Sequence, residues 1–148
     1  MIKILLTDDH MLVRTGIKRL LEDNGDVEII GEAESGEMCI SMVQELKPDV
    51  ILMDVNMPGI GGIEASRRIL QRDASQKIII LTFHADQTFP KRLLEIGARG
   101  YLTKECNVSD MLAAIKQVHA GGSYIEARIA QLLALSLLPG NESNPVDK

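Results

Sequence analysis

Five short apolar runs, separated by amphipathic stretches, dominate the pattern of hydrophobic and polar positions along the chain. The runs cover residues 2–6, 27–30, 50–53, 78–81 and, more weakly, 100–102. They are nearly continuous in isoleucine, valine and leucine, which is typical of strands in a parallel sheet that helices cover on both faces. The pattern therefore predicts five internal β-strands.

The segments that follow these runs have apolar residues at helical spacing. They predict five helices, over residues 12–21, 39–46, 63–70, 89–96 and 111–118. We expect Ser35 and Ser109 to stand at helix starts, because serine accepts hydrogen bonds from the first free N–H groups of a helix. The alternation predicts an α/β fold of the (βα)5 type, a doubly wound, five-stranded parallel sheet that binds ligands at the carboxyl ends of its strands.

The C-terminal part of the chain has a different pattern. One more amphipathic helix is predicted over residues 126–138, and a small polar tail that contains Pro145 follows it. The length of 148 residues is sufficient for one domain with its own core. We expect that domain to cover residues 1–122, and residues 123–148 to form a linker helix and a flexible tail.

Composition and charge narrow the functional classes. The formal net charge is −5, opposite in sign to the surfaces that bind nucleic acid, so we do not expect this chain alone to bind DNA. Cys39 and Cys106 have neither the dense pattern of a secreted protein nor the spacing of a zinc site. The first apolar run reaches Asp8 and Asp9 after only a few apolar residues, too early for a signal peptide or a membrane span. We therefore expect a cytoplasmic protein.

Polar side chains follow four of the five predicted strands. Asp8 and Asp9 come after the first strand, Asp54 after the third, Thr82 after the fourth and Lys104 after the fifth. Because the carboxyl ends of parallel strands meet at one edge of the sheet, we expect these side chains to lie close together. Crowded carboxylates repel one another unless a cation shares the site, and their oxygens suit Mg²⁺. The sequence predicts a magnesium site held by the three aspartates.

Phosphoryl transfer is the chemistry that this set of residues favours. The Asp54 carboxylate would accept a phosphoryl group as a mixed anhydride, since a metal ion and a cation would neutralise the transferring charge. The backbone carbonyl of Asn56 would supply a further metal ligand. Lys104 would place an ammonium beside the phosphoryl oxygens, and the Thr82 hydroxyl would form a hydrogen bond that exists only with phosphate present.

These residues stand in motifs that resemble those of a known family. The motifs are Leu6-Thr7-Asp8-Asp9-His10, Val13-Arg14-Thr15-Gly16, Asp54-Val55-Asn56-Met57-Pro58-Gly59, Leu81-Thr82 and Gly100-Tyr101-Leu102-Thr103-Lys104. Over residues 1–122 the chain resembles the flavodoxin-like receiver domain of bacterial two-component response regulators, in the NarL/FixJ (LuxR-type) subfamily. The segments 31–33 and 98–104 resemble the group of GacA, UvrY and LetA.

The resemblance implies a sensor histidine kinase, of the hybrid type, as phosphoryl donor and Asp54 as acceptor. It also implies Mg²⁺ bound through Asp8, Asp9 and Asp54, and Thr82 with Tyr101 as a switch pair that changes the surface of the predicted fourth and fifth helices. In the relatives a DNA-binding domain follows the receiver. We therefore expect a piece of a transcription regulator that forms a homodimer through these helices or the linker helix, and that binds DNA only through the domain absent from this chain.

Three other functions compete with this interpretation. A stand-alone receiver would serve as a protein-interaction module, but it would not need the full set of polar residues. An aspartate-nucleophile phosphohydrolase would need a second acid two residues after Asp54, where Asn56 stands. A flavin or nucleotide binder would need a glycine-rich phosphate loop, which the sequence lacks. We expect a switch that catalyses its own phosphorylation and slow dephosphorylation, and not an enzyme in the ordinary sense.

Overall fold

A parallel β-sheet forms the centre of the computed structural model, which describes residues 1–82, 95–136 and 138. The strands are β1 (Ile2–Thr7), β2 (Val27–Ala33), β3 (Val50–Asp54), β4 (Ile78–Thr82), β5 (Gly100–Thr103) and β6 (Tyr124–Ile125). The helices are α1 (Met11–Glu22), α2 (Gly36–Leu46), α3 (Gly61–Arg72), α4 (Val108–His119) and α5 (Ala127–Ser136). The strands lie in the order β2-β1-β3-β4-β5-β6, and every neighbouring pair is parallel.

The predicted α/β fold is confirmed, with one strand more than the pattern indicates. The five apolar runs form β1 to β5, and four of the predicted helices are α1 to α4. The predicted helix over 89–96 falls mostly outside the described residues. Of that range the structure describes only residues 95 and 96, and both are helical. The sixth strand has two residues, too few for a periodic signal. The predicted C-terminal helix forms as α5, within slightly narrower bounds.

Two apolar layers cover the faces of the sheet. On one face the β-strands pack against α1 and α4, with Leu21 and Ile115 fully buried. On the other face they pack against α2, α3 and α5, with Cys39 and Ala65 fully buried. This two-sided coverage explains why β3 and β4 have no exposed residue and show no alternation in sequence. Of the described residues, none forms a helix long and apolar enough to span a membrane.

Side-chain oxygens start two of the helices. The Ser35 hydroxyl accepts a hydrogen bond from the Met38 N–H at 3.1 Å, so the prediction for α2 is confirmed. The prediction for Ser109 is wrong, because α4 begins at Val108, three residues before the predicted start, and Asn107 precedes it. The Asn107 side chain accepts from the Asp110 N–H at 2.7 Å. Ser109 thus lies inside the first turn.

The segment after residue 122 packs against the sheet. β6 pairs with β5, and Tyr124 lies opposite Gly100. Ile129 of α5 is buried in the same apolar layer as Tyr101, and Leu133 packs against that layer. The division at residue 122 stays a prediction, while β6 and α5 both contribute to the folded core.

Candidate functional site

The carboxyl ends of β1, β3, β4 and β5 bring the predicted polar residues to one edge of the sheet. Asp8 directly follows β1, and Asp54 is the last residue of β3. The strand register pairs Asp54 with Leu81 and Thr82 with Thr103. Asp8, Asp54 and Thr82 are all buried. The expected clustering of these side chains therefore follows from the topology of the sheet.

Lys104 joins the two buried aspartates. Its Nζ lies 2.7 Å from Asp8 Oδ2 and 3.1 Å from Asp54 Oδ1, and the lysine side chain is only 3% exposed. The backbone N–H of Lys104 donates to the Thr82 carbonyl at 2.8 Å, which fixes the start of the lysine side chain beside β4. An ammonium between two desolvated carboxylates offsets part of the cost of burying them. The arrangement places a cation at the end of β3.

Oxygen ligands for a metal ion lie in the same cluster. Ligand atoms of Asp8, Asp9, His10 and Asp54 all lie within 4.8 Å of one another. Asp54 Oδ2 and Asp9 Oδ1 are buried and accept no hydrogen bond from the described residues. Buried carboxylate oxygens without a donor are costly, and a divalent cation would satisfy both. The donor set, dominated by carboxylates, fits the predicted Mg²⁺.

His10 stands at the rim of this cluster. Its side chain is 57% exposed, and its Nδ1 lies 3.1 Å from Asp9 Oδ1 and 3.4 Å from Asp8 Oδ1. The His10 backbone N–H donates to Asp8 Oδ1 at 2.8 Å, and the residue immediately precedes α1. His10 therefore connects the acidic loop to the first helix.

Burial dominates the electrostatics of Asp54. Desolvation raises the pKa of its carboxyl above the ordinary value, and the nearby Asp8 charge acts in the same direction. The Lys104 ammonium and the Asn56 N–H, which donates to Asp54 Oδ1 at 3.1 Å, oppose this rise in pKa. The ionised Asp54 carboxylate therefore has few hydrogen-bond donors for so buried a group, and added positive charge would stabilise the ionised form.

Arg14 supports the acidic loop, a role that the sequence motifs do not indicate. Its Nη1 donates to the Asp8 backbone carbonyl at 2.7 Å, and its Nε donates to Glu32 Oε1 at 3.2 Å. The arginine side chain is 9% exposed, and these two contacts link β1, α1 and β2 beneath the site. Arg14 lies three and seven residues before Ile17 and Leu21, on the apolar face of the predicted helix, and this spacing is the available signal in the sequence. Its partners are identifiable only in the fold.

The loop after β3 is held by a close approach of α3. Gly62 N–H donates to the Val55 carbonyl at 3.2 Å. A Cβ atom at position 62 would lie 1.9 Å from the Asp54 carbonyl oxygen. Only glycine fits between the helix and the strand end here. The Asn56 backbone, predicted as a metal ligand through its carbonyl, lies in this loop beside Asp54.

The predicted switch residues occupy adjacent strands. Thr82 ends β4, and Tyr101 lies on β5 opposite Ile80. Tyr101 is 3% exposed, and burial raises the pKa of its phenol to about 12. In this structure the tyrosine therefore lies inside the apolar layer with α3 and α5.

Comparison with known proteins agrees with this geometry. The family model described as "Response regulator receiver domain" matches residues 4–116. This chain belongs to that family. The chain is 49% identical over 148 residues to response regulator GacA of Pseudomonas aeruginosa, covering 99% of this chain and 69% of the relative. It is 46% identical over 136 residues to response regulator UvrY of Escherichia coli, covering 92% of this chain and 62% of the relative.

A solved structure shows the same fold. The two-component response regulator of the LuxR family from Aurantimonas sp. is 37% identical, with a TM-score of 0.86, and the match covers 90% of this chain and 95% of that one. The predicted flavodoxin-like receiver fold and the resemblance to the GacA and UvrY group are confirmed. The receiver domain is thus a signalling component of two-component systems.

Proposed function

We propose that Asp54 accepts a phosphoryl group from a sensor histidine kinase, in a reaction that depends on Mg²⁺ and controls a transcriptional output. The observation that carries the proposal is the position of Lys104, which contacts Asp8 and Asp54 while Asp54 Oδ2 has no hydrogen-bond partner among the described residues. That oxygen is available as a nucleophile beside a cation.

Asp8, Asp9, Asp54 and the backbone carbonyl of Asn56 would hold Mg²⁺. The support is the group of carboxylate oxygens within 4.8 Å and the two among them without hydrogen-bond donors. When bound, the ion would neutralise charge on the transferring phosphoryl oxygens. The Lys104 ammonium contacts Asp8 Oδ2 and Asp54 Oδ1, and His10 Nδ1 lies 3.1 Å from Asp9 Oδ1, so Asp54 Oδ2 is the buried oxygen that most needs a cation.

The residues of the chain have distinct parts in the transfer. Asp54 forms a bond to phosphorus as the bond between phosphorus and the nitrogen of the phosphohistidine donor breaks, and the electron pair leaves with that nitrogen. Lys104 neutralises the phosphoryl oxygens, since its Nζ is already 3.1 Å from Asp54 Oδ1. Burial of Asp54 excludes bulk water, which suits a long-lived acyl phosphate that hydrolyses slowly.

The phosphorylated state would differ from the free state in the positions of Thr82 and Tyr101. The Thr82 hydroxyl would turn towards the phosphoryl group, and Tyr101 would occupy the space that it leaves. Both residues lie on neighbouring strands and are buried, so a small change at one is transmitted by packing to the other. A partner that binds only one of the two surfaces then shifts the population.

The output would be transcriptional, through a DNA-binding domain beyond this chain. The relatives are response regulators, and this chain spans 62% of UvrY and 69% of GacA. We propose that the protein works in the cytoplasm and forms a homodimer through the helices around β5 or through α5. Residues 1–122 would be the phosphoacceptor unit, and 123–148 the connection to the output domain.

Intact mass after incubation with Mg²⁺ and acetyl phosphate or a histidine kinase tests the proposal. We expect a gain of one phosphoryl group that is labile to hydroxylamine, needs the metal and is lost in Asp54→Asn. Asp26→Asn is the matched control, because Asp26 lies at the amino end of β2, whereas Asp54 lies at the carboxyl end of β3. An unchanged mass with both donors would overturn the proposal in favour of a phosphorylation-independent interaction module.

A further inference from the structure

The end of β5 is held from outside the sheet by a side chain that the motifs do not include. Thr103 is fully buried, and its backbone N–H donates to Glu126 Oε1 at 2.6 Å. The Thr103 hydroxyl lies 2.9 Å from Glu126 Oε1 and 3.0 Å from Oε2, so its single proton reaches either oxygen. One carboxylate therefore accepts both donors of Thr103.

The register of the sheet explains why a side chain is needed at this point. β6 continues the ladder on the outer side of β5, where Tyr124 N–H donates to the Arg99 carbonyl and Glu126 N–H donates to the Tyr101 carbonyl. The next acceptor in such a ladder would be the Glu126 carbonyl. That carbonyl instead accepts from Ala130 N–H, because α5 begins there. The Glu126 carboxylate replaces it.

Lys104, the next residue, is held from the other side. Its N–H donates to the Thr82 carbonyl of β4, while its side chain reaches Asp8 and Asp54. The backbone that presents the lysine is thus fixed between β4 and Glu126. Without the carboxylate, the buried N–H of Thr103 would lose its acceptor, and the strand end would have to move to regain one.

We propose that Glu126 is a positioning residue for phosphoryl transfer, acting through Thr103 on Lys104, and that it thereby couples α5 to the phosphoacceptor site. This inference rests on the proposed role of Asp54 as acceptor. Displacement of a charged group by a fraction of an ångström slows an oriented transfer strongly. Because Glu126 directly precedes α5, movement of that helix would change the same contact.

The test compares phosphorylation rates with saturating Mg²⁺ and a small phosphoryl donor, measured by intact mass. Glu126→Ala should slow the reaction about tenfold. Glu126→Gln should remain within about threefold of the native rate, because its carbonyl oxygen still accepts from Thr103 N–H. Arg128→Ala is the matched control: it removes the exposed ion pair with Glu105 in the same segment and should leave the rate unchanged.

A double-mutant cycle separates positioning from general destabilisation. In a Lys104→Ala background, Glu126→Ala should change the rate less than about twofold, since the group that it positions is gone. An equal loss of rate in both backgrounds would overturn the inference, and so would a native rate in Glu126→Ala.

A second readout does not need the phosphorylation reaction. In the metal-free protein, Glu126→Ala should speed amide exchange at Thr103 about tenfold or more and shift the NMR signal of the Lys104 ammonium, whereas Arg128→Ala should do neither. If the native chain accepts no phosphoryl group, the proposed role of Asp54 is refuted. The amide-exchange and NMR signals still test whether Glu126 is coupled to Lys104. An unchanged Lys104 signal in Glu126→Ala would refute it.

Discussion

The contact between α3 and the end of β3 can be tested with one methyl group. In Gly62→Ala the new Cβ would lie 1.9 Å from the Asp54 carbonyl oxygen and 2.8 Å from its carbonyl carbon. Cβ atoms in real proteins essentially never approach another atom closer than 3.0 Å, so helix and strand would have to separate by about 1 Å. Both obstructing atoms belong to the backbone and cannot turn away.

The size of the effect follows from two opposing contributions. Overpacking costs about 3 kcal/mol at the upper end of its usual range, which suits a backbone clash. Alanine regains less than about 1 kcal/mol over glycine, because Gly62 lies in the first turn of α3 and not in the helix interior. We therefore expect Gly62→Ala to lower the free energy of unfolding by about 2 kcal/mol or more. Because the clash is at Asp54, the variant should also accept phosphoryl groups more slowly.

Gly16→Ala is the matched control for this prediction. Gly16 lies within α1, and a Cβ there would meet nothing within 4 Å. This substitution should raise the free energy of unfolding by about 0.5–1 kcal/mol. Urea unfolding followed by circular dichroism measures both variants, since the chain has no tryptophan for fluorescence. If Gly62→Ala were as stable as Gly16→Ala, the close approach of α3 to Asp54 would be wrong.

Three further predictions concern the backbone, the acidic loop and the buried tyrosine. Lys47→Gly should stabilise the fold by about 1 kcal/mol in urea unfolding, because Lys47 directly follows α2 with a φ of 51° that glycine adopts without strain. A loss of stability would contradict this. Arg14→Met should lower the free energy of unfolding by about 2 kcal/mol, because the Asp8 carbonyl loses a charged donor. The control Lys18→Met loses only a contact of 3.4 Å with Glu32 and should lower it by less than about 1 kcal/mol. In Tyr124→Phe, which leaves Tyr101 as the one tyrosine, ultraviolet titration should give the Tyr101 phenol a pKa of about 12. The free energy of unfolding should fall as the pH rises from 10, the ordinary tyrosine value, towards 12, because the unfolded chain loses the phenol proton first. A midpoint near 10 would show that the phenol is not buried.

The sheet was predictable because its strands are buried on both faces. A short, continuous apolar run between amphipathic segments, such as the run that forms β4, is typical of a strand that is buried on both faces. The edge of the sheet was harder to predict. Tyr124 and Ile125 form β6 only because β5 offers a free edge beside them, and this depends on a tertiary neighbour and not on local pattern.

The clustering of site residues was predictable for a related reason. Asp8 and Lys104 are 96 positions apart, yet each follows a strand of one parallel sheet, so their proximity follows from topology. Arg14 and Glu126 were not predictable in this way. Each supports the site through a backbone group, the Asp8 carbonyl and the Thr103 N–H, and nothing in the sequence marks a backbone group as needing a partner.

Charge balance connects these supports to the proposed switch. Asp8, Asp9 and Asp54 bring three carboxylates against the one ammonium of Lys104, an excess of two negative charges that a divalent cation would offset. A phosphoryl group on Asp54 adds negative charge, so the Lys104 side chain must redistribute its contacts between Asp8 and the new oxygens. With its backbone fixed from both sides, the side chain is the part that moves. The site could then change its contacts without unfolding the strand end.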